Sequence, residues 1–333
     1  MQSSYSISDP SQASKLLIAI PCYKRPQLLE RLLNSIAEAE SGRDICVALF
    51  DDSPEGVNSC CQDYARKIGL NLAYHHNAIR LGIDANIDQC LSALGASYVW
   101  LMGEDDLIHP NGIRLVLDAL QNSPNLVFAN YSQASDSGHA QDSALRFSTS
   151  IETKQHYVDQ LLIGFGFIGS VVVNSAACPK VNYLSLNTYF SHIGKLLHIV
   201  DASEISQLKY ITDPCSINRV GSIDAFSWGG DAITVYIGFY RLLSSMERSF
   251  ALASISLKAS MARAREAFYP LHKVTRAIRF RSLGLLPYPE AQKIYKEYGG
   301  SPLSLFATLM PRRLALFLVK FALILLPNYR ISS

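Results

Sequence analysis

Short apolar segments alternate with amphipathic segments of helical length throughout residues 15–130, and this alternation constrains the fold more than any other feature. The periodicity predicts strands over residues 16–21, 45–50, 71–75, 98–102 and 126–130, and helices over residues 27–40, 57–68, 83–94 and 111–121. Strands that alternate with helices of this length form a mostly parallel sheet with helices on both faces. We therefore predict a doubly wound α/β fold.

The pattern changes after residue 130. Residues 133–150 are rich in Ser, Asp, Gln and Gly and are expected to form a loop. Beyond it the sequence predicts a strand over 165–173, a helix over 188–200, a strand over 208–212, and helices over 232–244 and 250–268. We divide the chain into a polar tail (1–14), an α/β half (15–130), a second half of the same domain (131–250) and a helical C-terminal extension (251–333).

Polar residues follow three of the predicted strands. They are residues 21–26 after the first strand, Asp51, Asp52 and Ser53 after the second, and Glu104, Asp105 and Asp106 after the fourth. The carboxyl ends of parallel strands meet at one edge of the sheet, where ligands of such folds bind. One ligand is therefore expected to contact all three groups.

Three consecutive carboxylates, Glu104, Asp105 and Asp106, come directly after an apolar strand. Burying them without a partner is costly, and oxygen ligands at such an edge suit a hard divalent cation that also holds phosphates. This interpretation predicts Mg²⁺ or Mn²⁺ at Asp106 and Asp105, with a phosphorylated substrate. The alternative is an acidic turn before a helix that Pro110 opens.

Composition narrows the class of protein. The 333 residues are 49% hydrophobic, and the seven cysteines lack the spacing of a zinc site or a disulfide framework, so we expect a reducing cytosolic environment. The polar N-terminus has no signal-peptide pattern, and we do not expect export. The first 250 residues are acidic and show no aromatic-basic stripe, so no nucleic-acid partner is expected.

The C-terminal extension is both basic and apolar. Residues 251–333 contain 13 Lys or Arg and three Glu, and residues 314–326 are apolar apart from Lys320. That run is shorter than the roughly 20 residues that span a bilayer, so it suits a helix lying in the membrane interface, with Arg312, Arg313, Lys320 and Arg330 near anionic headgroups of the inner leaflet. The alternative is a helix that packs its apolar face on the catalytic domain or on a partner.

The ordered motifs resemble those of family 2 glycosyltransferases of the GT-A fold. Pro21-Cys22-Tyr23-Lys24-Arg25 is similar to the family's Pro-x-Tyr-Asn-Arg, Asp51-Asp52-Ser53 to its Asp-Asp-x-Ser, and Glu104-Asp105-Asp106 to its acidic metal motif. Arg80, Gly82 and Asn86 are similar to the segment that leads into that motif. The resemblance covers about residues 15–130, and Trp100-Leu101-Met102-Gly103 is most similar to the branch that adds dideoxyhexoses such as abequose to O-antigen repeats.

The resemblance implies a nucleotide-sugar donor, a lipid-linked saccharide acceptor and a divalent metal ion. A carboxylate of Asp51 or Asp52 can accept hydrogen bonds from a base or ribose, although both residues also suit a turn or a helix cap. Arg25 and Arg80 suit phosphate, although a lone Arg is more often a surface charge, and Tyr23 suits stacking on a base or a place in the core. Pro21, Gly82, Asn86, Glu104 and Asp105 complete the predicted donor site.

The sequence departs from the family pattern at three places. Gly103 stands where the first Asp of the metal motif is usual, and Lys24 replaces the commoner Asn. Residues 187–194, where the family usually places an acidic catalytic base, contain no carboxylate. His192 is therefore our first candidate for the base, because imidazole titrates near neutrality, and Asp231 is the second. A structural His192 and a helix-capping Asp231 are the alternatives.

These observations predict an inverting, metal-dependent glycosyltransferase of cell-surface polysaccharide or O-antigen synthesis, peripheral on the cytoplasmic face of the membrane. A nucleotidyltransferase shares paired acids and an α/β sheet, but it usually carries a Gly-rich basic loop, and residues 21–26 contain no Gly. A membrane-bound scaffold that has lost catalysis also remains open, because Gly103 and the missing acidic pair weaken the catalytic motifs.

Overall fold

The computed structural model describes residues 14–39, 45–93, 95–134, 140–141, 151–162, 164–181, 183–186, 188–219, 232–249, 252–269, 271–284 and 286–325. The strands are β1 (Ser14–Cys22), β2 (Ile45–Asp51), β3 (Leu72–His76), β4 (Ala96–Leu101), β5 (Leu107–Ile108), β6 (Leu126–Ala134), β7 (Ala140–Gln141), β8 (Val171–Asn174) and β9 (Leu208–Arg219). The helices are α1 (Pro26–Ala39), α2 (Cys60–Lys67), α3 (Ile83–Leu91), α4 (Gly112–Ala119), α5 (Lys154–Leu161), α6 (Ser191–Ala202), α7 (Ala232–Ser249), α8 (Leu257–Phe268), α9 (Val274–Leu283), α10 (Tyr288–Tyr298), α11 (Pro302–Ala307) and α12 (Arg312–Leu325).

Within the described residues all nine strands join one sheet. Its order is β3-β2-β1-β4-β8-β6-β9-β5, and β7 pairs with β6. The first four strands in this order are mutually parallel, as are β6 and β9, whereas β8 lies antiparallel between β4 and β6. The predicted doubly wound, mostly parallel α/β sheet is confirmed, with an antiparallel strand that joins its two halves.

Alternate side chains of the parallel strands enter two separate hydrophobic cores. On β1, Leu17 and Ala19 pack with α3, α5 and α6 on one face, while Ile18 and Ile20 pack with α1, α2 and α4 on the other. All four side chains are fully buried. Both faces of a parallel sheet need such a cover, which explains the nearly continuous apolar strands of the sequence.

Several predicted elements have other bounds in the structure: the helix predicted over 250–268 begins only at Leu257, and the strand predicted over 208–212 continues to Arg219. Two further differences involve glycines. The strand predicted over 165–173 begins only at Val171, because the glycine-rich segment before it forms two 3-10 turns, Gly164–Gly166 and Ile168–Ser170. The helix predicted over 57–68 is a 3-10 segment followed by α2, and Gly56 has a positive φ of 61° at the kink. Glycine's backbone freedom favours turns over regular structure at both places.

The C-terminal extension has a hydrophobic core of its own. Ile237 of α7 packs with residues of the segments α9 and α10, among them Ala277, Phe280, Ala291 and Ile294. The apolar tail forms two helices, α11 and α12, which both pack on α9. Across the described residues, the structure contains no helix long and apolar enough to span a membrane.

Candidate nucleotide-sugar site

The ends of β1, β2 and β4 bring the three predicted polar groups together. In the parallel register Cys22 lies opposite Asp51 and Ala19 opposite Leu101, so the segments that follow these strands leave the sheet at the same edge. The Asp52 backbone N–H donates to the Cys22 carbonyl at 3.0 Å and fixes two of these segments to each other. The predicted meeting of residues 21–26, 51–53 and 104–106 thus occurs in the structure.

Asp51 is fully buried and holds the end of β2. Its Oδ1 accepts hydrogen bonds from the backbone N–H (2.9 Å) and the hydroxyl of Ser53, and its Oδ2 accepts the Tyr74 hydroxyl at 2.7 Å. Ser53 in turn accepts the Lys24 backbone N–H at 3.2 Å. Tyr74, on β3, is a site residue that the motifs did not reveal. The carboxylate therefore anchors the floor of the site.

Asp52 holds the loop that joins β3 to α3. Its two carboxylate oxygens accept the backbone N–H groups of Leu81 (2.6 Å) and Gly82 (2.8 Å), and the Asn77 amide lies at 3.4 Å. Gly82 has a φ of 83°, a conformation that a residue with a side chain rarely adopts. The loop of residues 77–82 is therefore a fixed rim of the site.

Tyr23 and Arg80 meet at this rim. The Arg80 guanidinium lies over the Tyr23 ring, 4.5 Å from its centroid, and the Lys24 ammonium lies 5.2 Å from the same centroid. Such cation–π contacts contribute about 0.5–1 kcal/mol at exposed sites. Lys24 has a positive φ of 58°, a conformation that Asn tolerates better than Lys, which accounts physically for the Asn common in the motif. Pro21 is buried in β1.

Asn86 lies on α3 below the rim. Its amide donates to the Phe50 carbonyl at 2.9 Å, so it ties α3 to β2. Its buried Oδ1 has no hydrogen-bond partner among the described residues. Asn86 therefore supports the rim from behind rather than facing the open edge.

Arg25 joins the acidic run to the segment after β1. Its Nη1 donates to Asp105 Oδ2 at 3.0 Å, and its Nε lies 3.6 Å from Glu104 Oε1. The Tyr23 backbone N–H donates to Glu104 Oε2 at 2.7 Å. Burial raises the pKa of Glu104 to about 8, although Tyr23 and Arg25 oppose the rise. The Arg25 side chain therefore neutralises part of the negative charge that this run concentrates.

Gly103 makes room for the Asp106 carboxylate. A Cβ placed on Gly103 would overlap Asp106 Oδ2 and approach Asp105 Oδ1 to 3.3 Å. The Asp106 backbone N–H also donates to the Gly103 carbonyl at 3.2 Å, so the run turns back on itself. In this structure a larger residue at position 103 would therefore displace the carboxylate of Asp106.

Tyr131 of β6 approaches the acidic run from a neighbouring strand. Burial, and to a lesser extent the charge of Asp106, raise the pKa of Tyr131 to about 12. Its ring packs on Phe167 with the centroids 4.3 Å apart. No sequence motif marked Tyr131. It belongs to β6, which is separated from β4 in the sheet by β8.

The acidic run suits a divalent cation by the chemistry of its donors. Across the described ranges there is no cluster of three or more Asp, Glu, His or Cys side chains arranged to hold a metal. Mg²⁺ and Mn²⁺ commonly take one or two protein carboxylates and complete their shells with phosphate and water oxygens. Asp106 and Asp105, at the edge shared with Arg25, supply that number of hard oxygen donors.

The two candidates for the catalytic base are placed very differently. His192 lies in the first turn of α6 with 1% of its surface exposed; its Nε2–H donates to the Phe165 carbonyl at 3.1 Å, and its Nδ1 has no hydrogen-bond partner within the described part of the chain. Burial lowers the pKa of His192. Its imidazole is thus neutral and enclosed. Asp231 lies outside the described residues, so its predicted role stays a prediction.

Comparisons with known proteins show what the sequence is similar to. A model of the glycosyl transferase family 2 matches residues 17–176. The chain is 24% identical to the abequosyltransferase RfbV of Salmonella typhimurium over 256 residues, which cover 72% of this chain and 76% of that protein.

Solved structures share the fold. TarS 1–349 of S. aureus superimposes with a TM-score of 0.54 at 12% identity, covering 92% of each chain. The mannosyltransferase PcManGT of Pyrobaculum calidifontis, solved with GDP-Man and Mn²⁺, superimposes with a TM-score of 0.54 at 15% identity, covering 99% of this chain and 86% of that one. Residues 17–176, just under half of the chain, thus match glycosyl transferase family 2, and the chain has the GT-A fold of these solved structures.

Proposed function

We propose that the protein transfers a sugar from a nucleotide-sugar donor to a lipid-linked saccharide, with inversion at the sugar carbon. The observation that carries this proposal is the convergence of three strand-end segments on one edge, where Arg25 bridges Glu104 and Asp105 and where Asp52 fixes the rim that bears Arg80. A bound diphosphate needs cationic side chains and carboxylates that can hold a metal ion, next to a surface for the base. Arg25, Arg80 and the acidic run at this edge support that assignment.

In this proposal each group has a distinct task. Tyr23 and Arg80 bind the nucleoside and its phosphates at the rim, whereas Asp51 and Asp52 hold the floor and the rim in position through the contacts described above. Asp106 and Asp105 would hold a divalent cation, and such an ion, when bound, neutralises the charge that develops on the departing diphosphate. Arg25 keeps Asp105 and Glu104 oriented toward the same edge.

Inversion needs one base that accepts the proton of the acceptor hydroxyl. His192 and Asp231 remain our two candidates. The contact of His192 Nε2 with the Phe165 carbonyl favours the tautomer with its proton on Nε2, and that tautomer has on Nδ1 the lone pair that a base requires. Its burial means that acceptor access requires movement of the residues that cover α6.

The donor sugar that we propose is a dideoxyhexose, and the process is assembly of O-antigen or a related cell-surface polysaccharide. Two features support this: the similarity to an abequosyltransferase, and the Trp100-Leu101-Met102-Gly103 segment in which Gly103 replaces an acidic residue. The match to a glycosyl transferase family favours sugar transfer over nucleotidyl transfer.

We also propose that the enzyme is peripheral on the cytoplasmic face of the membrane and docks through α11 and α12. The apolar side chains Leu303 and Phe306 of α11 and Leu314, Phe317 and Phe321 of α12 are all exposed, with Phe317 at 61%. On α12 they recur at steps of three and four residues and form one face, and the opposite side buries Ala315 against the extension.

Charge identifies the surface that suits this apolar face. Arg313 and Lys320 lie four and three residues from Phe317, so they flank the apolar face on the same side of α12. Residues 302–325 contain no Asp or Glu. Aromatic side chains beside basic ones are typical of helices that lie in an anionic lipid interface. Arg312 fixes the helix from behind, because its Nε donates to the Ser282 carbonyl at 3.1 Å.

Transfer is tested by incubating the purified protein with a panel of nucleotide sugars, Mg²⁺ or Mn²⁺, and a lipid-linked saccharide extract. We expect release of a nucleoside diphosphate and sugar incorporation into lipid from one donor class. Release of pyrophosphate from a sugar phosphate and a nucleoside triphosphate would instead identify a nucleotidyltransferase. Nucleotide binding without any turnover would identify the inactive scaffold.

Membrane docking is tested by cosedimentation with vesicles of phosphatidylglycerol and phosphatidylcholine. We expect the wild-type protein to sediment with anionic vesicles, and Phe317→Ser with Phe321→Ser to remain in the supernatant. Ile79→Ser is the matched control, because Ile79 is even more exposed but lies on the rim of the donor site. Equal sedimentation of the double variant and the wild type would contradict the proposal.

A further inference from the structure

Asp84 is a buried carboxylate that contacts a distant part of the chain. It lies in the first turn of α3 with 6% of its surface exposed. Its Oδ2 accepts the backbone N–H groups of Thr188 and Tyr189, both at 2.9 Å, and its Oδ1 accepts that of Ser191 at 3.0 Å. One side chain thus fixes three backbone groups that lie more than 100 residues further along the chain.

The segment of residues 188–191 depends on this carboxylate. The residue before α6, Phe190, makes no side-chain capping hydrogen bond, and Asp84 instead accepts the Ser191 N–H at the first residue of α6. A negative charge is also favourable next to the N-terminus of a helix. Tyr189 has a positive φ of 66°, a left-handed conformation that a residue with a side chain rarely adopts. The Asp84 contacts stabilise that conformation.

The other side of the same segment is closely packed. A Cβ on Gly238 of α7 would overlap the carbonyl oxygen of Thr188, so α7 approaches the backbone of the segment directly. One turn further along α3, Asp88 forms an ion pair with Lys195 of α6. The segment is therefore confined between α3 and α7, and its contacts with Asp84 attach it to α3.

Asp84 is also connected to the rim of the donor site. Only Ile83 separates it from Gly82, whose backbone N–H is held by Asp52 at 2.8 Å. The residues from Leu81 to Asp84 thus carry Asp52 contacts at one end and Asp84 contacts at the other. The rim and the segment of residues 188–191 are thus connected by a few covalent bonds and five hydrogen bonds.

We propose that Asp84 is a positioning residue that couples the donor rim (residues 77–82) to the segment of residues 188–192, which ends at His192. This inference rests on the proposed function, because it assigns the coupling to donor binding. The carboxylate itself does not act as the base, because it is buried and both of its oxygens already accept backbone N–H groups. Its role is to hold the segment that faces the acceptor in the arrangement that the bound donor requires.

Hydrogen exchange monitored by mass spectrometry tests this coupling. The probes are UDP, GDP, CDP and dTDP, each with Mn²⁺, added to the wild-type protein, to Asp84→Asn and to Asp88→Asn as the matched control on the same helix. For the nucleotide that binds, we expect slower exchange in residues 77–82 and in residues 188–192 of the wild type and of Asp88→Asn. In Asp84→Asn we expect slower exchange in residues 77–82 alone.

Two results would overturn the inference and leave the proposed function intact: wild-type protection of residues 77–82 without any change in residues 188–192, or equal protection of both segments in Asp84→Asn. The first result needs no variant, so it decides the question even if Asp84→Asn does not fold. Absence of protection at residues 77–82 with all four nucleotides would overturn the proposed function and the inference with it.

Discussion

The donor edge of the sheet and the segment of residues 188–192 are held in place by different kinds of contact. At the donor edge, short motifs at neighbouring strand ends bind one another, as when Arg25 pairs with Asp105 and Ser53 binds Asp51. The segment before α6 carries no motif of its own, and a carboxylate from α3 fixes it. One half of the site is thus specified by sequence motifs that the strand order brings together, and the other by a carboxylate from a different element.

Under the proposed function, we therefore expect the two halves to respond differently to substitution. A change at the donor edge would remove a group that we assign to the donor or to the acidic run, so we expect it to affect the chemistry directly. A change near residue 190 would alter the proposed acceptor side and leave the donor edge intact. Substitutions in the two regions therefore separate donor binding from transfer.

The largest effect is expected from Asp106→Asn. Removing the carboxylate that we assign to the cation lowers transfer by about 1,000-fold, since a bound cation stabilises the negative charge that develops on the leaving diphosphate in the transition state. The loss is measured as the transfer rate of the variant at saturating Mn²⁺ relative to the wild type. Circular dichroism checks that the variant folds. Asp118→Asn is the control, because Asp118 is exposed and pairs with Arg114 on α4. Full activity of Asp106→Asn would refute a metal role.

A smaller loss is expected from Gly103→Ala. The added methyl group overlaps the Asp106 carboxylate and displaces it, and a misplacement of about 1 Å lowers turnover by about 100-fold. In the control Gly166→Ala the new Cβ meets only Phe190, at an ordinary 3.7 Å. Turnover that is unchanged in both variants would show that Asp106 does not need its present position.

Most of the donor edge was predictable from sequence, because its residues lie directly after apolar strands in a parallel sheet. The meeting of Tyr23, Asp51 and Glu104 follows from that topology alone. Tyr74, Tyr131 and Asp84 were not predictable, because each acts through a contact between elements that no local pattern records. The strand predicted over 165–173 failed for the related reason that glycines favour turns there.

The tail shows the same limit. Its apolar and basic composition was evident, but its division into α11 and α12 depends on Pro311 and on packing against α9. Which apolar side chains remain exposed is a property of that packing, and composition does not determine it.

A stability effect of about 1–2 kcal/mol is expected from Tyr74→Phe. The substitution removes the hydroxyl that Asp51 accepts at 2.7 Å and leaves a fully buried carboxylate oxygen with one donor fewer. Urea denaturation measures the loss. Tyr64→Phe, which removes a hydrogen bond to Asn34 on the outer side of α1, is the matched control with a smaller expected loss. Equal losses would show that the floor of the site is not specially dependent on Asp51.

The smallest effect concerns the pH dependence of unfolding in His192→Gln. Burial lowers the pKa of His192 in the folded protein, so the unfolded chain binds the extra proton, and stability decreases as the pH falls below the usual histidine pKa of about 6.5. Glutamine retains a donor for the Phe165 carbonyl and does not titrate, so the variant should lose less stability between pH 7 and pH 5.5. Parallel curves would show that His192 titrates normally.

The anomeric configuration of the product tests the central claim most directly. The measurement is NMR of the saccharide formed from an accepted nucleotide sugar and a lipid-linked acceptor, compared with the configuration of the donor. We predict a product whose anomeric configuration is the opposite of that of the donor, formed by the wild type and absent with Asp106→Asn. A product of retained configuration, or equal product from Asp106→Asn, would contradict an inverting transfer at the edge formed by Tyr23, Arg25 and the acidic run.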